Sequence, residues 1–367
     1  MPRNGKLVRI TVAFVAVALV GALAAGGASA GHKTHRATKA DTLNGAGSSL
    51  VGPAHAIWDP AYKSAKGVTV NYASVGSGAG IAQISARTVD FGASDAPFTP
   101  DQAAGCAKNG VKCLQIPWAL AATGPVTNIQ GVDGTRGHKL RLTGAALANI
   151  YLGKITNWSS SAIKKLNPGL NLPNETINVV YRSDGSGDTY AFTNYLSKVS
   201  KQWRSKVGFA TTVNWPTGSG GSHNDGVAAK VRSTPGSIGY VSTAYGIANH
   251  LPSAQMKNAS GKYTLPSVKS IEAAAQLVKA KKIPKSNAIS IVDPPKTKHN
   301  KYKNAWPMAT FTYVMVPQKT PKAALLKGFI KWVLQPKQQN SIKHLVFAPM
   351  PKVVVKAADK TLKKITS

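Results

Sequence analysis

Short β-branched runs in this 367-residue chain repeatedly give way to a glycine–serine turn and then to a stretch of helical character. Residues 68–72 (Val-Thr-Val-Asn-Tyr) predict a strand; Gly76-Ser-Gly-Ala-Gly80 follows, and residues 81–87 read as helix. The scheme recurs at residues 177–181, then Arg182-Ser-Asp-Gly-Ser-Gly-Asp188, then a helical stretch over 189–198. Residues 88–92, 237–241 and 311–316 read as further strands. Residues 323–334 read as a helix with Leu326, Phe329, Ile330 and Val333 on one face. Strand, turn and helix in repetition predict an α/β architecture with mostly parallel pairing. There is no short-period repeat and no heptad run.

A hydrophobic fraction of 43% excludes a wholly disordered chain, and the length allows two lobes of ordinary size. Only one segment is apolar enough to cross a membrane, which excludes a multi-span pore. That segment has the pattern of a secretory signal peptide: basic Arg3, Lys6 and Arg9, an apolar run over 10–23, and Ala28-Ser-Ala30 as a cleavage site. An uncleaved anchor helix is the other reading, although the run is short for a span of ~20 residues. We expect residues 1–30 to be removed and residues 31–42 to form a flexible lead-in, placing the mature protein outside the cytoplasm. No cysteine lies near the junction, so a lipid anchor has no attachment atom.

Export changes how the cysteines read. Cys106 and Cys113 flank a six-residue gap containing Asn109-Gly110, and in an oxidising compartment a disulfide is the expected state. Two unpaired thiols are the alternative; a metal pair lacks accompanying His or acidic ligands. Two cysteines are also too few for a four-thiolate zinc site.

Three turns carry the candidate chemistry: Gly45-Ala-Gly-Ser-Ser49, Gly76-Ser-Gly-Ala-Gly80 and Asp184-Gly-Ser-Gly187. Glycine lets backbone approach a ligand closely, free N–H groups at a helix start favour an anion, and serine hydroxyls add donors. One such turn is ordinary structural punctuation; three together, with Arg182 beside one, point to a convergent anion site. The sequence lacks Gly-Lys-Ser/Thr and any Gly-x-Gly-x-x-Gly in a strand-to-helix setting, which argues against nucleotide phosphates.

Acidic residues are scarce, 13 against 46 Lys+Arg, yet Asp90, Asp95, Asp184, Asp188 and Asp225 all lie in or beside glycine-rich segments. A carboxylate belongs in an anion site only if the anion still carries a proton that it can accept. Phosphate near neutral pH meets that condition and sulfate does not, so an aspartate both binds the one and repels the other. For Asp90 and Asp225 we expect turn-bracing or capping, and for Asp184 a salt bridge that aims Arg182.

These residues resemble the periplasmic-type phosphate-binding proteins of ABC phosphate importers, the PstS family. Gly45-Ala-Gly-Ser-Ser-Leu50, Val70-Asn-Tyr72 leading into Gly76-Ser77, Thr88-Val-Asp-Phe-Gly-Ala-Ser-Asp-Ala-Pro97 and Ile150-Tyr-Leu-Gly-Lys-Ile155 carry the likeness. So do Arg182-Ser-Asp-Gly-Ser-Gly187, Asn224-Asp-Gly226, Ser237-Ile-Gly-Tyr-Val241 and Ala305-Trp-Pro307. The resemblance implies a two-lobed periplasmic-binding-protein fold (type 2), each lobe a mixed sheet flanked by helices, with a two-strand hinge. It implies lobe I from residues 43–118 plus 296–367 and lobe II from 119–295. It also implies phosphate contacts from Ser49, Leu50 through its N–H, Ser77, Asp95, Arg182, Ser186, Gly187 and Asp188, with Asp184 in support. Three of these depart from the family's commoner residues. Ser49 stands for Thr and Leu50 for Phe; Asp188 stands for Thr and suits a doubly protonated phosphate.

The expected partners are inorganic phosphate and the membrane subunits of an ABC phosphate permease, with the protein a monomer and no cofactor or metal. Rival readings are a binder of another oxyanion (sulfate or molybdate) and a cell-surface polyanion binder. The latter draws on a formal charge of +33, about +30 after cleavage. A lysine-rich C-terminus, residues 352–364, reads more simply as the solvated face of a helix. No specific nucleic acid is expected, since no recognised motif is present. Nor is catalysis: there is no Gly-x-Ser-x-Gly elbow and no His-Glu-x-x-His.

Overall fold

A computed structural model describes residues 41–108, 110–280 and 283–367. The proposed signal peptide, nearly all of the lead-in, Asn109 and the lysines at 281 and 282 lie outside the described residues.

Eleven strands are described: β1 (Thr42–Gly47), β2 (Thr69–Ser74), β3 (Phe91–Ser94), β4 (Cys113–Asn128), β5 (Arg141–Leu142), β6 (Asn178–Arg182), β7 (Ser219–Gly221), β8 (Ser237–Ser242), β9 (Gln255–Lys257), β10 (Tyr263–Thr264) and β11 (Ala309–Pro317). Eight form one sheet in the order β2-β1-β3-β11-β4-β8-β6-β7; β10-β9-β5 form a smaller one. The outer members pair parallel, β1 with β2 and β3, and β6 with β7 and β8. The centre is antiparallel, which the expectation of mostly parallel pairing did not capture. There β11 runs against β3 and β4, and β4 against β8.

The 16-residue β4 belongs to both halves of the sheet. Its residues 113–122 pair with β11, and from Thr123 to Asn128 it pairs with β8. The indole N–H of Trp306 donates to the Thr123 carbonyl at that changeover, 2.8 Å away.

Each half has its own aromatic core. Trp58, Phe91, Trp118 and Phe329 pack around β1, β3 and the helices Gly52–Lys66 and Ala323–Val333. The predicted face of the latter helix, Leu326, Phe329, Ile330 and Val333, is buried. Tyr151, Phe192, Trp203 and Tyr240 pack in the other half. At roughly 1.5–3 kcal/mol for a large apolar side chain removed from water, such clusters make each half a stable platform.

Local chemistry sets two helix ends that meet near the middle of the sheet. Ser186 caps the helix Gly187–Val199, its hydroxyl accepting from Thr189 N at 3.2 Å. The helix Ser77–Ala86 follows Gly76, whose φ of 88° suits glycine. One predicted strand is displaced: β3 begins at Phe91, while residues 88–90 turn. Arg87 ends the preceding helix in the left-handed region (φ 62°), and Asp90 braces the turn by accepting from Asn44 N and pairing with Lys322 Nζ at 2.7 Å. The C-terminal stretch is helical over Lys352–Leu362, burying Val354, Ala358 and Leu362 and exposing Lys352, Lys356 and Lys360.

Candidate functional site

The three glycine–serine turns meet. Ser48 and Ser49 leave the end of β1, Ser77 opens the helix Ser77–Ala86, and Asp95 follows β3. From the other half of the sheet come Arg182 at the end of β6 and Ser186, Gly187 and Asp188 at the start of the helix Gly187–Val199. Hydrogen bonds join the two sides directly: Gly78 N donates to the Gly185 carbonyl at 2.8 Å, and Gly187 N donates to the Ser77 side-chain Oγ at 3.0 Å. Every one of Ser49, Leu50, Ser77, Asp95, Arg182, Ser186 and Asp188 is at most 3% exposed.

Among the described residues, Arg182 is the single guanidinium of the cluster. Its Nε donates to Asp184 Oδ1 at 2.8 Å, a terminal nitrogen reaches Asp184 Oδ2, and Nη1 lies 3.2 Å from Asp188 Oδ2. Asp184 thus aims Arg182 as expected. Asp184 also accepts from the His223 main-chain N–H at 2.8 Å. Burial works to raise the Asp184 carboxyl, but the Arg182 hydrogen bonds and charge hold it below the usual range.

The two buried aspartates are both pushed up but differ in their partners. Burial, then the neighbouring Asp188 charge, pushes Asp95 up to about 7. Its oxygens take the Ser48 hydroxyl at 2.7 and 2.6 Å, and Ser77 Oγ lies 3.3 Å from Oδ2. Burial raises Asp188 as well, outweighing Arg182 and the Asn224 hydrogen bond. Asp188 Oδ2 takes Arg182 and Asn224, whereas its buried Oδ1 has no hydrogen-bond partner among the described residues. A buried acceptor left unmatched is costly in a native structure and marks a position for a donor.

All the predicted residues lie in this cluster. Leu50 N is turned to Ser48 Oγ at 3.1 Å. Sequence reasoning missed two members. Ser48 was visible only as a neighbour of Ser49, and its grip on Asp95 depends on a fold that brings residues 47 positions apart together. Asn224 sat in a quoted motif but carried no role. The structure buries it completely, with Nδ2 2.9 Å from Ser49 Oγ and 2.7 Å from Asp188 Oδ2. Asp225 is exposed in the first turn of its helix, whose N-cap is Ser222 with no side-chain cap hydrogen bond.

A separate cavity of about 530 Å³ is lined by Gly52, His55, Asp59, Tyr72, Ala244 and Tyr245 among others. It presents a carboxylate and no lysine or arginine, so it does not suit an anion. The Cys106–Cys113 disulfide is formed, with Cα atoms 5.8 Å apart. Arg87 donates to the Val111 and Cys106 carbonyls of the same loop. Among the described residues no helix is long and apolar enough to cross a membrane.

Residues 32–337 match the family model for the PBP superfamily domain. The chain is 40% identical over 322 residues to the phosphate-binding protein PstS of Xylella fastidiosa, covering 87% of this chain and 84% of the relative. It is 39% identical to the PstS of Pasteurella multocida, covering 87% and 89%. Its fold matches the crystal structure of a phosphate-binding protein from Stenotrophomonas maltophilia with a TM-score of 0.66 at 19% identity, covering 88% and 94%. The chain therefore belongs to the PBP superfamily and, within it, to the phosphate-binding protein PstS family.

Proposed function

We propose that this protein captures inorganic phosphate between the two halves of its sheet, exported from the cytoplasm, and delivers it to an ABC-type phosphate permease. Capture involves no bond-breaking. Ser49, Ser77 and Ser186 donate hydroxyls, Leu50 and Gly187 donate main-chain N–H groups, and Arg182 supplies the positive contact held by Asp184. Asp95 and Asp188 accept hydrogens that phosphate still bears. We keep residues 43–118 plus 296–367 and residues 119–295 as the two lobes that close on the anion.

The observation that carries this reading is a single buried guanidinium set among neutral donors and two buried carboxylates, one with a free oxygen. Such a site has acceptors that only a protonated oxyanion satisfies; fully ionised sulfate or molybdate leaves negative charges opposed. The relatives are named for phosphate, which supports the same ligand.

Isothermal titration with phosphate, sulfate and molybdate tests it. Phosphate alone should bind tightly, with an affinity that barely moves between low and high salt because the site is shielded from solvent. Equal affinity for sulfate, or hydrolysis of phosphate esters by the purified protein, contradicts the reading. The surplus positive charge acts separately, holding the protein near anionic surface polymers, and that retention should collapse as salt rises.

A further inference from the structure

Asn224 is the second residue of the helix His223–Ser233, and its side chain is fully buried between the two sides of the cluster. Its Oδ1 accepts the Ser242 main-chain N–H at 2.7 Å. That N–H is an obligate donor, so the carbonyl oxygen of the amide must face Ser242. The NH₂ group then faces Ser49 Oγ at 2.9 Å and Asp188 Oδ2 at 2.7 Å. The carboxylate partner demands the same orientation, since two acceptors cannot share a hydrogen bond.

This fixes the polarity of two neighbours. Ser49 Oγ receives a hydrogen from Asn224, so its own single hydrogen is free to point to another acceptor. Asp188 Oδ2 is occupied by Asn224 and Arg182, leaving Oδ1 as the one open acceptor. One amide thus sets a donor on one side of the cleft and an acceptor on the other.

We propose that Asn224 is a positioning residue for phosphate recognition, orienting the Ser49 hydroxyl as a donor and restricting Asp188 to one accepting oxygen. The inference rests on the phosphate reading but assigns a role to a residue for which the motif reading named no contact. The helix start that carries Asn224 is itself tethered, because His223 N donates to the same Asp184 that aims Arg182. Guanidinium, hydroxyl and carboxylate directions are therefore set by one connected network, in which effects of single changes are not additive.

The test is phosphate titration from pH 5 to 8 on wild type, Asn224→Asp and Asn224→Ala, with circular dichroism on each to confirm folding. Asn224→Asp keeps the shape but replaces the NH₂ with an oxygen that faces Asp188 and captures the Ser49 hydrogen. At pH 8 it should weaken phosphate binding by roughly ten- to a hundredfold, the scale of a hydrogen bond to a charged group. Relative to wild type the loss should shrink toward pH 5, as the new carboxyl takes up a proton and becomes a donor again. Asn224→Ala should lose affinity by a factor that does not change with pH. Arg182, Asp184, Asp95, Tyr240 and Tyr245 also act on Asp188 or are acted on by it, and the parallel wild-type profile accounts for their titration.

In a Ser49→Ala background the cost of Asn224→Asp should fall, since one of its two targets is gone. An Asn224→Asp protein within twofold of wild type at pH 8, or a loss that is the same at every pH and equal to that of Asn224→Ala, overturns the inference. A wild type that binds no phosphate overturns the phosphate reading, and this inference with it.

Discussion

Gly187 lies so close to Asp95 that a Cβ on the glycine would sit 2.4 Å from the aspartate Cβ and 2.5 Å from Oδ2. Asp95 follows β3 and Gly187 follows β6, on either side of the central β11 and β4, so this contact exists only while the two sides are together. Gly187→Ala should therefore leave each half folded but hold the cleft ajar. We expect phosphate affinity to fall roughly tenfold or more, the effect of about 1–3 kcal/mol of overpacking. Small-angle scattering with and without phosphate should show compaction in wild type and little in the variant; equal compaction in both would remove glycine from the closing mechanism.

The carboxylate of Asp95 should decide between phosphate and sulfate. Asp95→Asn replaces an acceptor with a group that can also donate, so a fully ionised ligand no longer meets opposed charge. Titration calorimetry should show weaker phosphate binding and a sulfate affinity that rises toward it. If the preference is unchanged, the proton on the ligand is not what Asp95 reads.

The same residue makes stability depend on pH. Its folded value, about 7, lies above the unfolded carboxylate range. Between that range and pH 7 the native state binds more protons than the unfolded chain, so stability falls as pH rises through the window. Asp188 is raised too and acts in the same direction. Asp184 has the opposite sign, but its window lies below the ordinary carboxylate range. In phosphate-free buffer, denaturant unfolding should show the protein more stable at pH 5 than at pH 8, by at most about 2.7 kcal/mol for Asp95, since roughly two pH units of its window lie in that span. Asp95→Asn should flatten the profile; a variant with the same slope as wild type would place the titration elsewhere.

The disulfide should contribute stability without touching recognition. It closes a short loop, with a sequence separation of 7, for which chain entropy gives about 2–3 kcal/mol. Replacing Cys106 and Cys113 by serine together should lower the unfolding free energy by that amount. Phosphate affinity at a temperature where the variant is folded should match wild type. A change in affinity would mean that the Arg87-clamped loop reaches the cleft.

Much of this was legible in the residues because the signals are local. Val70, Val179 and Val314 carry strand propensity, Gly76 and Gly187 announce turns whose backbone leaves no room for a side chain, and Leu326 to Val333 repeat at helical spacing. The displaced β3 shows the limit: Thr88 and Val89 are good strand formers, yet the left-handed Arg87 and the Asp90–Lys322 pair make them a turn. The resemblance implied mixed sheets, but the periodicity alone did not say which strands run antiparallel, because pairing partners more than a hundred residues apart leave no local mark; Ala309 meets Ala122 only in the folded sheet. Ser48 and Asn224 escaped for the same reason. A serine beside a serine and an asparagine at a helix start look like caps until tertiary structure brings Asp95 and Asp188 to them.

One continuous backbone, β4, serves as ladder partner to β11 and then to β8. Sliding one half along the other would shear one of those ladders, so the low-cost relative motion is torsion where the partners change, at Ala122 and Thr123. Trp306 sits at that pivot, bonded to the Thr123 carbonyl and so close to Gly124 that a Cβ there would lie 2.5 Å from the indole. Any turning of one half against the other would thus work against the Trp306 indole wedged where β4 changes partners.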